Sequence, residues 1–321
     1  MLDARMRAFA ALVRAGSFTR AASALYISQP AVSKHIAALE AEFRQRLVSR
    51  SRGSLLLTPA GQVLADYVLR AEALLANAKR AVAAGEDAQI GNLTIAASGI
   101  PGTYLLPPLV ARFHEQHPAV VINFRVGTSA EALEAVRAHQ VELAVIGGLT
   151  VPAELDAEPL LDDEVVLVGP PALGRKRRPL KELEQFTWIS REEGSSTRAA
   201  VEAARWQMGL HAVRELELPS WEAVKLAVAG GAGIAAISRY GIEVELNAGR
   251  LILLDAPKWR LQRTISLVTA REVPLTPPAT RFVAALRQMS ERLGSQRPTK
   301  PRGAVRSPRP RSVYASQPRA R

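Results

Sequence analysis

The chain contains no cysteine in its 321 residues. Disulfides, thiolate zinc sites and cysteine nucleophiles are therefore excluded, and the absence fits a reducing cytoplasm. No apolar run is long enough to cross a bilayer, so no membrane partner is expected. The first stretch, Met1–Leu12, lacks both a continuous apolar core and a small-residue cleavage site. It reads as an amphipathic helix, not as a secretory signal. The signatures of common catalytic sites are missing too. There is no Gly-x-Ser-x-Gly elbow, no His-Glu-x-x-His and no Gly-x-x-x-x-Gly-Lys phosphate loop. The five histidines (His35, His114, His117, His139 and His211) form no ligand spacing with carboxylates. His114 and His117 stand three apart, but at a helix end before Pro118, where a surface position is the expected reading. These absences argue against an enzyme, and neither a cofactor nor a metal is expected.

Acidic residues are absent from one end. The formal net charge is +12. Residues Ser295–Arg321 carry Arg297, Lys300, Arg302, Arg306, Arg309, Arg311, Arg319 and Arg321 and no Asp or Glu, which leaves +4 for everything else. This tail is proline-rich and nearly free of large apolar residues, so disorder is expected over 295–321. Two roles stay open for it: a non-specific hold on DNA phosphates, or a solvated extension with no specific partner.

What is present falls into two patterns. Up to about residue 88 the order reads helix, helix, helix, short hairpin, long helix. From Gly91 strands alternate with helices, the pattern of a parallel-sheet α/β fold. Strands are expected at Leu93–Ala97, Val120–Val126, Leu143–Ile146, Val165–Val168, Thr187–Ser190, Arg214–Leu218, Ile234–Ser238, Leu251–Leu254 and Ile265–Thr269. Helices are expected at Tyr104–Gln116, Ala130–His139, Thr197–Met208, Trp221–Ala229 and Pro277–Arg292. Two similar halves begin near Leu93 and near Val165, which predicts two α/β subdomains.

The segment Ser17–Phe43 has the spacing of a helix-turn-helix. Gly16-Ser17 breaks the first helix and Ser17 is a suitable N-cap for the second. Phe18, Ala21, Ala22 and Leu25 share one face of that second helix. Tyr26-Ile27 is the turn. Ser28 caps a third helix with Pro30 in its first turn, where a missing N–H costs nothing. Val32, Ile36, Leu39 and Phe43 form its core stripe, and the opposite face presents Gln29, Ser33 and Lys34 near the N-terminus. A helix of this kind fits the major groove, with Gln suited to adenine and Lys to guanine acceptors or a phosphate. Arg50-Ser-Arg52-Gly-Ser-Leu-Leu-Leu57 then reads as a tight hairpin turning at Gly53, with Arg50 and Arg52 near its tip. Taken alone it is a solvated basic loop. Behind a helix-turn-helix it is a wing for phosphates or a minor groove.

The run SFTRAASALYISQPAVSKHIAALEAEF followed by RGSLLLTPAG resembles the N-terminal domain of LysR-type transcriptional regulators. The phrases TYLLPPLVARFHEQHP, EVVLVGPP, REEGSSTRAAVEAARWQMGL and EAVKLAVAGGAGIAAISR resemble the effector-binding domain of the same family. The likeness covers roughly residues 1–293. It implies a winged helix-turn-helix over 1–58, a dimerising linker helix over 59–88 and an effector-binding domain over 89–294. That last domain resembles a periplasmic binding protein, with subdomain I at about 89–161 and 266–294 and subdomain II at about 162–265. The fold class expected is thus α/β with an N-terminal all-α reader. By the same resemblance Ser28, Gln29, Pro30, Ser33 and Lys34 contact DNA, together with Arg50 and Arg52 of the wing. The expected partners are double-stranded DNA, a small-molecule effector, a second copy of the chain as dimer or tetramer, and RNA polymerase.

Two departures from the family pattern stand out. Phe43-Arg44 replaces the usual Leu-Gly, which removes the glycine that commonly ends the recognition helix. Ser98-Gly99-Ile100-Pro101-Gly102 replaces a loop that often reads Ser-Thr-Thr-Ile-Gly, so two hydroxyls are gone. The linker itself offers Leu64, Tyr67, Ala71, Leu74, Ala78 and Ala81 at spacings of three and four, a stripe suited to a helix pair. Candidate effector residues are Ser98, Ile100, Gly102, Thr103, Thr128, Ser129, Ser196 and Thr197, at strand-to-helix loops whose helix N-termini favour an anion. Each hydroxyl alone is as well explained as an ordinary helix cap, and Ile100 leaves a ligand with an apolar part open. A transport-type binding protein is the remaining rival, and the DNA-reading segment argues against it.

Overall fold

A computed structural model describes residues 2–51, 54–84, 91–174, 176–211, 214–271 and 273–295. Arg52, Gly53, the end of the expected linker helix and the basic tail beyond Ser295 lie outside the described residues, as do the side chains of Arg50 and Ala81.

The first elements are α1 (Ala4–Ala15), α2 (Phe18–Leu25), α3 (Gln29–Phe43), the antiparallel hairpin β1 (Val48–Ser51) and β2 (Ser54–Leu57), and α4 (Pro59–Ala84). Local chemistry sets their ends. Asp3 accepts the Met6 N–H at 2.8 Å, and α1 closes on Gly16 at φ 61°, where glycine has no Cβ to clash. Ser17 stands at the N-cap of α2 but its hydroxyl makes no capping bond, contrary to expectation. The extended backbone starts that helix instead, with the Ala21 N–H bonded to the Ser17 carbonyl at 2.9 Å. Ser28 does cap α3, accepting the Ala31 N–H at 3.3 Å. Thr58 accepts the Gly61 N–H at 3.0 Å ahead of α4.

One core joins these elements. Phe9 and Leu12 of α1, Ala21 and Ala22 of α2, and Val32, Ile36 and Leu39 of α3 pack with Leu47, Ala65 and Val68. The first turns of α4 are thereby part of the reader itself. A Cβ on Gly61 would stand 1.9 Å from the Leu47 carbonyl oxygen, so glycine is what lets α4 begin this close to the hairpin. Phe43 was expected to complete the α3 stripe and is instead 43 % exposed. The helix ends under it, because Arg44 is left-handed at φ 52° and turns the chain away.

Beyond α4 come β3 (Gly91–Ser98), α5 (Leu106–Gln116), β4 (Val120–Gly127), α6 (Ser129–Arg137), β5 (Leu143–Gly147), β6 (Leu155–Gly169), β7 (Thr187–Arg191) and α7 (Ser196–Gln207). They are followed by β8 (Arg214–Leu218), α8 (Trp221–Ala229), β9 (Ala235–Ser238), α9 (Glu243–Asn247), β10 (Ile252–Leu253), β11 (Leu261–Ala270) and α10 (Pro277–Ser295). The chain divides into two compact units, the first being Met1–Leu160, Gly194–Ser196 and Ile265–Glu291 and the second mainly Leu161–Glu193 and Thr197–Thr264. In the first unit β3 lies between β4 and β5 and runs parallel to both, and β11 adds antiparallel to β5. Ala96, Ala144 and Ile146 of this sheet pack on Leu133 and Val136 of α6. In the second unit β6 pairs antiparallel with β9 and β10, while β7 and β8 are parallel. Val165, Leu167, Trp188, Val201, Ile234 and Trp259 form its core. Both indoles are satisfied there, donating to the Leu183 and Val165 carbonyls at 3.0 and 2.9 Å.

Two local differences from the sequence reading concern length. The strand expected at Val165–Val168 begins ten residues earlier, at Leu155. Asp156, Glu158, Asp162, Asp163 and Glu164 hide it, since such residues are depleted in strands. The helix expected from Tyr104 is preceded by a π-helical turn, Pro101–Leu105, where the Leu106 N–H reaches back to the Pro101 carbonyl.

The end of α3 yields a stability prediction. A left-handed non-glycine residue costs about 1–2 kcal/mol, against about 0.5–1 kcal/mol for the greater unfolded-state freedom of glycine. Arg44→Gly is therefore expected to raise stability by roughly 0.5–1 kcal/mol, read from urea unfolding midpoints.

Candidate functional site

The first candidate region is the exposed face of α3. Gln29 opens the helix and its Nε2 donates to Ser33 Oγ at 3.1 Å, so the two base-reading candidates orient one another. Ser28, Pro30 and Lys34 are exposed beside them, and Gln29 and Ser33 are half-buried. Tyr26, left-handed at φ 56°, leaves its ring almost wholly in solvent at the turn before this face. Arg50 pairs with Leu55 in the hairpin backbone. One residue that sequence reasoning missed ties α3 to the hairpin. Glu40 Oε1 accepts the backbone N–H groups of Leu47 and Val48 at 2.9 and 3.3 Å, and Oε2 meets Arg46 at 3.1 Å. A lone glutamate on a helix carries no local signal for such a role, because its partners are backbone groups beyond the helix end.

The second region is the outer side of α4. Val63, Tyr67, Leu74 and Ala78 are all exposed, Tyr67 by 66 %. At 100° per residue they fall within about 60° of one another, and Ala65 and Val68 lie roughly 140–200° from Val63. Leu64 and Ala71 of the expected stripe are half-buried at its border. The same helix thus turns one face into the reader's core and leaves an apolar seam on another.

The third region is the carboxyl end of the parallel strands in the first unit. The chain passes from β3 to β4 on one side and returns to β5 on the other, so β3 marks a topological switch point, where open α/β sheets bind ligands. Two candidate hydroxyls, Ser98 and Ser129, meet there on Gly147, the last residue of β5, and a third, Ser196, meets Ser129. Ser98 Oγ accepts the Gly147 N–H at 3.2 Å. Ser129 Oγ lies 3.3 Å from the Gly147 carbonyl oxygen and 2.9 Å from Ser196 Oγ. All three serines are buried. The other candidates in this unit have different surroundings. Ile100 is only 2 % exposed and belongs to the packed interior. Gly102 is buried against Val126, whose methyls would stand 2.8 and 2.9 Å from an added Cβ. Thr103 is exposed on the π-helical turn. Thr128 is engaged in a capping box, accepting the Glu131 N–H at 3.1 Å while its own N–H donates to Glu131 at 2.7 Å.

Thr197, in the second unit, meets groups that spacing did not point to. Its Oγ1 lies 2.6 Å from Arg263 Nη1, and Arg263 Nε lies 2.8 Å from Asp163 Oδ2. Ser238 Oγ is 2.6 Å from the other oxygen of Asp163. Next to Thr197, Arg198 is bonded to Glu202 and Glu217, which raise its pKa. Its charge is therefore already compensated. Among the described residues no cluster of three or more His, Asp or Glu side chains is arranged to hold a metal ion. Nor is any described helix long and apolar enough to cross a membrane.

Comparison with known proteins extends this geometry. Residues 4–62 match the family described as bacterial regulatory helix-turn-helix protein, lysR family, and residues 86–291 match the LysR substrate binding domain. The chain is 32 % identical over 285 residues to the HTH-type transcriptional regulator CysL of Bacillus subtilis, covering 88 % of this chain and 95 % of that protein. Full-length CbnR, solved in complex with its target DNA, superposes with a TM-score of 0.65 at 20 % identity, covering 90 % of this chain and 100 % of CbnR. The regulatory domain of CcmR from Synechocystis PCC6803, solved with 2-PG, has a TM-score of 0.58 at 24 % identity and covers 62 % of this chain and 97 % of its own.

The Glu40 contacts predict that the hairpin depends on one carboxylate. Glu40→Ala removes the acceptor for two N–H groups while sparing the α3 core. It is expected to destabilise by about 1–3 kcal/mol. Chemical denaturation checks this, and an unshifted midpoint contradicts it.

Proposed function

The chain belongs to the LysR family of transcriptional regulators, and on that premise we propose that it is a cytoplasmic, non-enzymatic regulator that reads operator DNA as a homodimer or homotetramer under control of an anionic effector. Gln29, Ser33 and Lys34, flanked by Ser28 and Pro30, read base edges or phosphates in the major groove, and Arg50 and Arg52 of the wing hold the backbone. The exposed seam of α4 supports pairing of two such readers, which a two-fold operator requires. Its apolar residues have no polar role to fill, and a regulator that binds half-sites must cover them.

The observation that carries the effector assignment is the cluster of buried hydroxyls at the switch point of the first unit, with Ser98 and Ser129 on Gly147 and Ser196 on Ser129. Ser98 accepts from a backbone N–H, so its own hydrogen is directed elsewhere and is a donor for an oxyanion. Burial of these hydroxyls strengthens any bond that they make to a charged group. The 2-PG bound to CcmR supports the anionic class. Such a ligand alters DNA binding only through different affinities for two arrangements of the protein, and the coupling is reciprocal.

Salt-dependent binding of the full chain to its upstream DNA, with and without candidate anions, tests the reading. Lys34→Ala is expected to weaken operator binding by about 1–3 kcal/mol while leaving the melting temperature unchanged. Ser98→Ala with Ser129→Ala is expected to abolish the anion-induced thermal shift and to leave DNA affinity without anion intact. Absence of sequence-selective binding under every anion condition overturns the regulator reading for this chain.

A further inference from the structure

Two opposite charges are buried together in the second unit, on the neighbouring strands β6 and β11. The Asp163 side chain is fully enclosed and Arg263 nearly so. The Arg263 guanidinium is bonded through Nε to Asp163 at 2.8 Å and through Nη1 to Thr197 Oγ1 at 2.6 Å. Ser238, the last residue of β9, donates its hydroxyl to the remaining Asp163 oxygen at 2.6 Å. Both oxygens of the carboxylate are thereby engaged, and Thr197 is itself buried.

Stability is a weak account of this pair. Taking two ions out of water carries a large desolvation penalty, and an apolar pair of similar volume is often as stable or more so. The direction of the hydrogen bonds gives a stronger account. A guanidinium has donors only, so Thr197 Oγ1 must accept from Arg263. The hydroxyl hydrogen of Thr197 is then turned away from Arg263 and offered as a donor. Without that constraint a threonine hydroxyl rotates, and it accepts as readily as it donates. Asp163 and Ser238 keep the guanidinium plane from swinging. Lysine has no equivalent, because a single ammonium on a flexible stem does not reproduce the fork.

We propose that Arg263, held by Asp163 and Ser238, is the positioning residue that makes Thr197 a hydrogen-bond donor to the oxyanion group of the effector, whether carboxylate, sulfate or phosphate. Arg263 acts through Thr197 and need not touch the ligand. The assignment rests on the reading of Thr197 as an effector residue.

The test uses the full-length chain with inorganic phosphate, inorganic sulfate and 2-PG as calorimetric probes. The double variant Asp163→Asn/Arg263→Met removes both charges, so no buried ion is left unpaired. It is expected to melt near the wild type and to bind operator DNA normally without anion. Its affinity for whichever probe the wild type binds is expected to fall at least tenfold. Adding Thr197→Val to it costs nothing more, although Thr197→Val alone in the wild type costs a similar factor. Arg263→Lys, which keeps the charge, is expected to show the same loss and carries the test should the double variant melt early. Wild-type probe affinity in a folded variant, or a Thr197→Val loss of equal size in both backgrounds, overturns the assignment and leaves the effector reading standing. Failure of the wild type to bind any of the three probes overturns that reading, and the assignment with it.

Discussion

One helix must serve two neighbours at once, and most of the architecture follows from that. Helix α4 begins inside the reader, where Ala65 and Val68 close a core with Phe9, Leu12 and Leu39. Its start is fixed by Gly61, the residue that tolerates the Leu47 carbonyl at such close approach. On the same helix Asp66 meets Arg137 of α6 at 3.0 Å and Arg70 at 3.4 Å, while Glu72 pairs with Arg14 of α1. These partly exposed ion pairs contribute little individually. They do orient the helix, and the reader cannot rotate about α4 without breaking packed contacts. The apolar seam left on the outer side is the consequence. Residues that face inward at one turn leave others facing outward at the next, and those outward residues are apolar.

The sensor obeys a different constraint, the direction of hydrogen bonds. Ser98 and Thr197 each accept from a fixed donor, one a backbone N–H and the other a guanidinium. Each hydroxyl is thereby left with its hydrogen to give. Departure of the Ser98–Gly102 loop from the commoner family pattern removes two hydroxyls but not this polarity. The apolar replacement, Ile100, is buried in the packed interior. The altered loop thus reads as a change in packing beside the site more than as a call for an apolar ligand.

Local signals were legible in the sequence and distant ones were not. Gly16, Pro30 and the Ser28 cap mark helix ends because the chemistry lies within one turn. The helix-turn-helix and the alternation of strands and helices follow from spacing alone. Phe43 was misplaced because periodicity does not announce where a helix stops, and Arg44 takes the left-handed position usually given to glycine. The first part of β6 was hidden by its acidic residues, whose partners are far along the chain. Arg287 of α10, for example, meets Glu158 at 2.7 Å and holds its carboxyl below the usual range. Asp163 and Arg263 stand 100 residues apart, and Ser129 and Ser196 stand 67 apart. No spacing rule reaches such pairs, although their residue types were in plain view. Thr128 shows the opposite case, since its Thr-x-x-Glu cap was readable locally.

The claim that most needs testing is that the outer seam of α4 joins two readers. Sedimentation of the full-length protein carrying Tyr67→Glu and Leu74→Glu, alongside operator binding, addresses it directly. Both residues are exposed in the single chain, so the fold is expected to survive with unchanged helical signal. The variant is predicted to sediment as a monomer and to lose operator affinity by more than tenfold, where the wild type sediments as a dimer or larger. A variant that still sediments as the wild type does, with full operator affinity, contradicts the account.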